Sequence, residues 1–133
     1  MITMKISHVS FCRGIDDTFN PVPITTPVYN CDEIVGLFLH IVDIKNESPT
    51  VHIRWIHASG YHIEGRIKYA EPMNEIVICP HISPVYFILN ENFDSSGVWK
   101  IIVLYNEEQI ISQSFEILQK VDLQGAVIFD SKA

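Results

Sequence analysis

The chain is short of cations, cysteines and long apolar runs, and each shortage removes a class of protein. Nine Lys and Arg stand against 16 Asp and Glu, a formal net charge of −7. That is the wrong sign for displacing counterions from a phosphate backbone, so nucleic acid is set aside as a partner. No apolar stretch approaches the about 20 residues of a spanning helix. The longest runs from Ile34 to Val42 and holds Gly36 and His40. The opening Met1-Ile2-Thr3-Met4-Lys5 lacks the basic and then apolar pattern of a secretory signal, and a membrane is set aside as well. Cys12, Cys31 and Cys79 are odd in number, far apart and without C-x-x-C spacing, so neither a zinc knuckle nor a complete disulfide framework is expected and a reducing cytoplasm is the simplest home. No glycine-rich loop offers to cradle a phosphate, and no nucleophile sits between glycines on a sharp turn. No long window repeats apolar residues at helical spacing with caps, so helix is expected for a turn or two at most.

What is present is alternation. Tyr61, Ile63, Gly65, Ile67 and Tyr69 share one parity, with His62, Glu64, Arg66 and Lys68 on the other, the period-two pattern of a half-buried strand. Val51, Ile53 and Trp55 alternate in the same way before Ala58-Ser59-Gly60, and the two runs read as a hairpin. Keeping like faces together pairs His57 with Tyr61, Trp55 with Ile63, Arg54 with Glu64 and His52 with Arg66. Gly60 then falls where a three-residue turn wants a left-handed residue. A second hairpin joins Trp99, Ile101, Val103 and Tyr105 through Asn106-Glu107-Glu108 to Ile111, Gln113, Phe115 and Ile117, with Ile110-Ile111 blurring its register. Ile6 to Cys12 reads as a strand and Glu33 to Ile44 as the most buried one. Glu75 to Cys79 and Val85 to Leu89 read as short β-rich runs separated by Pro80 and Pro84. Asn20 to Pro27 is an extended loop or edge segment.

At 133 residues one core is expected. Residues 1–133 are read as a single all-β domain with its core at about 5–118, and 119–133 as an edge strand or tail carrying Gly125 to Phe129. About eight strands with little helix, and turn signals between them, make a two-sheet antiparallel β-sandwich. Hydrophobic residues are 47% of the chain against 19% charged, which leaves apolar surface to offer a partner.

The run Asp94-Ser95-Ser96-Gly97-Val98-Trp99 followed by an alternating strand resembles the corner and penultimate strand of immunoglobulin-like domains, with Trp99 where a corner tyrosine usually stands. The Asn-Glu-Glu turn with Ile111 to Ile117, and the Arg54-Trp55 to Gly60 turn, are similar to those of small bacterial sandwich domains of this type. The resemblance implies the immunoglobulin-like fold and no activity. It departs from the antibody type because no cysteine lies on the Trp99 strand, so the inter-sheet disulfide is excluded; Cys31 and Cys79 are read as buried thiols.

Six histidines are many for this length, yet His52, His57 and His62 alternate faces and do not converge on one ion. His40, in the most apolar strand, reads as a hydrogen-bonded core residue, and Cys12, beside Arg13, as a strand-end thiol packed inward. No catalytic residue, cofactor or metal is assigned; a ligand or metal site, if built at all, would draw on His40, His57, His81 and Cys79. Trp55, Tyr61, Tyr69, Tyr86, Trp99 and Tyr105 mostly point inward, whereas Tyr29, Phe19 and Phe129 are offered as partner-facing. The favoured function is a non-enzymatic protein-binding or assembly module that meets a second copy or another protein through a sheet edge or the Asn20 to Pro27 loop; the alternative is a small-molecule or metal-binding sandwich or barrel, with or without catalysis.

Overall fold

The computed structural model describes residues 4–14 and 21–119. Ten strands and one short helix follow in the order β1 (Lys5–Gly14), β2 (Pro21–Pro23), β3 (Val28–Tyr29), β4 (Ile34–Val42), β5 (Thr50–His57), β6 (His62–Lys68), β7 (Ile76–Ile78), β8 (His81–Ile82), α1 (Pro84–Glu91), β9 (Gly97–Tyr105) and β10 (Glu108–Ile117). They form two sheets, β2-β1-β4-β7 with β8 also on β4, and β3-β10-β9-β5-β6. Each strand turns one parity inward, and the two inner faces make the core, as in an immunoglobulin-like sandwich.

The first hairpin has the expected register, with Trp55 opposite Ile63, Arg54 opposite Glu64 and His52 opposite Arg66. Gly60 turns it at φ +100°, a conformation that costs glycine little. The second turns on Asn106 and Glu107, both at positive φ, and its register shifts between Gln109 and Ile111. The shift is a bulge that absorbs one residue of the Ile110-Ile111 doublet and keeps Ile111, Phe115 and Ile117 buried. The Pro-rich segment is an edge, as expected, but it changes sheets. β2 pairs with β1, while β3 runs parallel to β10 in the other sheet.

Several expectations fail, among them that Cys31 and Cys79 are buried, since both are only partly so. Val85 to Leu89 is helix, not strand: Pro84 stands at the first helical position, where its missing N–H costs nothing, and Asn92 ends the helix in the left-handed region. The helix is held by Phe87, which stacks on Trp99 at 5.9 Å. Tyr29 is fully buried rather than partner-facing. Its hydroxyl donates to the Cys12 carbonyl at 2.8 Å, and its ring meets Phe11 and Phe115 edge-on. Phe19, Phe129 and the 125–129 run lie outside the described residues.

Trp99 takes the corner role. Its indole N–H donates to the Ser95 carbonyl at 2.7 Å, four residues back, as a corner tyrosine's hydroxyl does. Stacked on Phe115 at 6.1 Å and on Phe87, it is the largest fully buried side chain.

Candidate functional site

On β4 the odd residues Val35, Leu37, Leu39 and Ile41 face the core and are buried. The even ones, including His40, face out, because β-strand parity allows nothing else. His40 is therefore not a core residue; its Nε2 lies 3.2 Å from the Glu75 carboxylate on the outer surface. His57, at the end of β5, has Nε2 at 2.7 Å from the Ser96 carbonyl and Nδ1 accepting the Ser59 amide at 3.1 Å. Its ring lies edge-on to Trp99 and Phe93. Both nitrogens serve the fold. His81 is exposed on β8, with Nδ1 3.2 Å from the Cys79 carbonyl. Among the described residues no three His, Cys, Asp or Glu side chains gather as a metal site would need.

Cys79 and Cys12 do meet, Sγ to Sγ at 3.4 Å, although β1 and β7–β8 are neighbours of β4 on opposite sides. Gly36, the residue of β4 opposite both Cys12 and His81, puts no side chain between them. The Cys79 S–H favours the thiolate on Cys12 and lowers that thiol, while the same contact and burial push Cys79 far up.

The more open feature lies where the two sheets part. Ile53, Trp55, Ile63 and Ile67 from one sheet face Ile78, Pro80 and Ile82 from the other across a groove of about 550 Å³. Its outer lip is β6, the terminal strand of its sheet. The His57 N–H donates to the Tyr61 carbonyl and the Tyr69 N–H to the Pro49 carbonyl, so the odd residues of this constant register aim their main-chain groups at β5. The even residues, His62, Glu64, Arg66 and Lys68, therefore point theirs away from the sheet. Among the described residues no strand pairs with that side.

Above the lip lies a charged outer face. The Glu64 carboxylate takes His52 at 2.7 Å, His62 at 3.4 Å and Arg54 at 3.6 Å. The His52 hydrogen bond, followed by the Arg54 charge, holds it below the usual carboxylate range. Arg66 reaches Glu107 at 3.4 Å and His52 Nδ1 at 3.3 Å. The expected Arg54 and Glu64 pairing is present. That His52 and His62 also converge on Glu64 was missed: their parity was legible, but the diagonal reach of a histidine across a twisted hairpin was not.

The class this architecture defines is the immunoglobulin-like two-sheet sandwich. No protein-family model and no curated protein matches the chain. Among solved structures it is similar to an immunoglobulin-like protein from Pseudomonas aeruginosa, with TM-score 0.54 and 9% identity over 86% of this chain and 95% of that one. It is also similar to part of the Pseudomonas fluorescens alkylpurine DNA glycosylase AlkC bound to DNA containing an abasic site analog, with TM-score 0.57 and 16% identity over 88% of this chain. This chain spans 31% of the glycosylase's length. At these identities the likeness is one of fold alone.

Proposed function

We propose that the chain is a non-enzymatic binding module that takes up an extended protein segment by strand addition at β6, with alternate side chains of that segment entering the groove. One observation carries this: an edge of seven residues whose outward main-chain groups have no strand partner among the described residues, backed by an apolar groove. Strand addition draws affinity from main-chain hydrogen bonds and specificity from pockets for alternate side chains, and β6 with its groove supplies both. The other edges suit this less well. β2 is three residues with two prolines, β3 and β8 are two residues each and β7 is three, with Pro80 between β7 and β8; short strands and prolines are the usual means of blunting an edge.

The test is an NMR titration of the full chain with an alternating valine and threonine heptapeptide flanked by lysines. Amide shifts at His62, Glu64, Arg66 and Lys68 with methyl shifts at Ile63, Ile78 and Ile82 are expected. Shifts confined to another surface, or none up to the peptide's solubility limit, would overturn the reading.

A further inference from the structure

The β6 edge is symmetric about Gly65 in its isoleucines and complementary in the charges of Glu64 and Arg66, which identifies one partner it fits. Its sequence is His62-Ile63-Glu64-Gly65-Arg66-Ile67-Lys68. Turned antiparallel against itself about Gly65, it sets Glu64 opposite Arg66 twice, Ile63 opposite Ile67 twice and His62 opposite Lys68 twice. We propose that the partner taken up at β6 is a second copy of this chain, joined edge to edge about a two-fold axis through Gly65; this rests on the reading of β6 as a strand-addition edge.

Three features of the backbone agree with that register. The residues that point N–H and C=O outward are His62, Glu64, Arg66 and Lys68, and the two-fold pairs these only with one another, so every pair along the seam that can exchange both hydrogen bonds does so. Gly65 meets Gly65 in the narrow, non-bonded position, where the backbones come closest and the absence of side chains is an advantage. Faces are also conserved. Ile63 and Ile67 of both copies stay on the groove side, and the two five-stranded sheets join into one of ten.

Charge selects this register over its neighbours. A slip of two residues in one direction puts Glu64 against Glu64, and in the other Arg66 against Arg66; like charges directly opposite are unfavourable. A slip of one turns the isoleucines to the outer face and misaligns the outward main-chain groups. The charges already engaged within each copy do not block the pairing. Arg66 uses Nη1 for Glu107 and Nη2 for His52, the Glu64 carboxylate has further lone pairs, and both side chains lie on the solvated face. In such a seam hydrogen bonds and apolar contact supply the attraction, while the charges set register and specificity.

Sedimentation equilibrium of the full chain at physiological ionic strength, across a wide concentration range, tests the inference. The unaltered chain is expected to dimerise reversibly. Glu64→Arg alone and Arg66→Glu alone each place two like-charged pairs in the seam and are expected to weaken self-association by about tenfold or more. An equimolar mixture of the two variants restores opposite charges at both positions and is expected to recover a heterodimer. Circular dichroism confirms that each variant is folded, which the exposed positions favour. A monomer at every concentration, a dimer indifferent to both single changes, or a mixture that fails to recover association overturns the second-copy inference. If the monomer still takes the valine and threonine peptide at β6, strand addition stands and only the partner is wrong; if it takes neither, both readings fall.

Discussion

Replacing Trp99 by Phe isolates what the tryptophan corner contributes. Phe keeps an aromatic ring between Phe115 and Phe87 but removes the indole N–H that donates to the Ser95 carbonyl at 2.7 Å and part of the ring volume. Ser95 is itself buried, so its carbonyl loses a partner without gaining water, a loss of about 1–3 kcal/mol. The missing ring atoms leave roughly 40 Å³, and at ~24 cal/mol per Å³ the cavity adds about 1 kcal/mol. The expected destabilisation is therefore about 2–4 kcal/mol, a large share of the stability of a domain this size. Urea unfolding followed by circular dichroism measures it, and Trp55 remains as a single fluorescence reporter in the core. An unchanged slope with a shifted midpoint confirms that stability moved and not the denatured state. A cost under about 1 kcal/mol with unchanged slope would refute the corner assignment.

Three further outcomes are expected. Phe87→Ala should cost roughly 3–5 kcal/mol because it empties the contact that holds α1 to the core, whereas Leu89→Ala, on a residue 75% exposed, should leave the urea midpoint within error. Asp94 accepts the Ser96 amide at 3.0 Å, and its hydrogen bonds to the Ser96 backbone and side chain hold its carboxyl below the usual range. A depressed carboxyl contributes stability above its ordinary value and loses it as pH falls through the depressed one. Asp94→Asn should therefore flatten the acid limb of stability against pH, measured by urea midpoints from neutral to acid. Glu107→Gly relieves a residue held at φ +74° and should raise the thermal midpoint through a gain of up to about 1 kcal/mol, reduced slightly by loss of the exposed contact to Arg66.

Much of this fold was legible because alternation is a local signal. The register of β5 on β6 follows from parity and Gly60 alone. Val85 to Leu89 was not legible, since a short apolar run after a proline suits strand or buried helix equally, and what decides it is Phe87 stacking on a tryptophan that comes later in the chain. Tyr29 looked free because it sits among prolines; its burial depends on a two-residue parallel pairing with β10, a contact no local pattern announces. The Cys12 and Cys79 encounter likewise depends on two independent registers meeting over Gly36. For the candidate site, the composition of β6 could be read directly, but its place at the end of a sheet, which turns it into a surface, is a property of topology.

The passage of the Pro-rich segment from one sheet to the other has a consequence for how the molecule opens. β2 is stitched to β1, and β3, which follows after residues 24–27, is stitched to β10, with the Tyr29 hydroxyl reaching back to Cys12. Neither layer can separate without first tearing this strap. Amide protons deep in β1, β4, β9 and β10 should therefore exchange with solvent as one cooperative group rather than sheet by sheet.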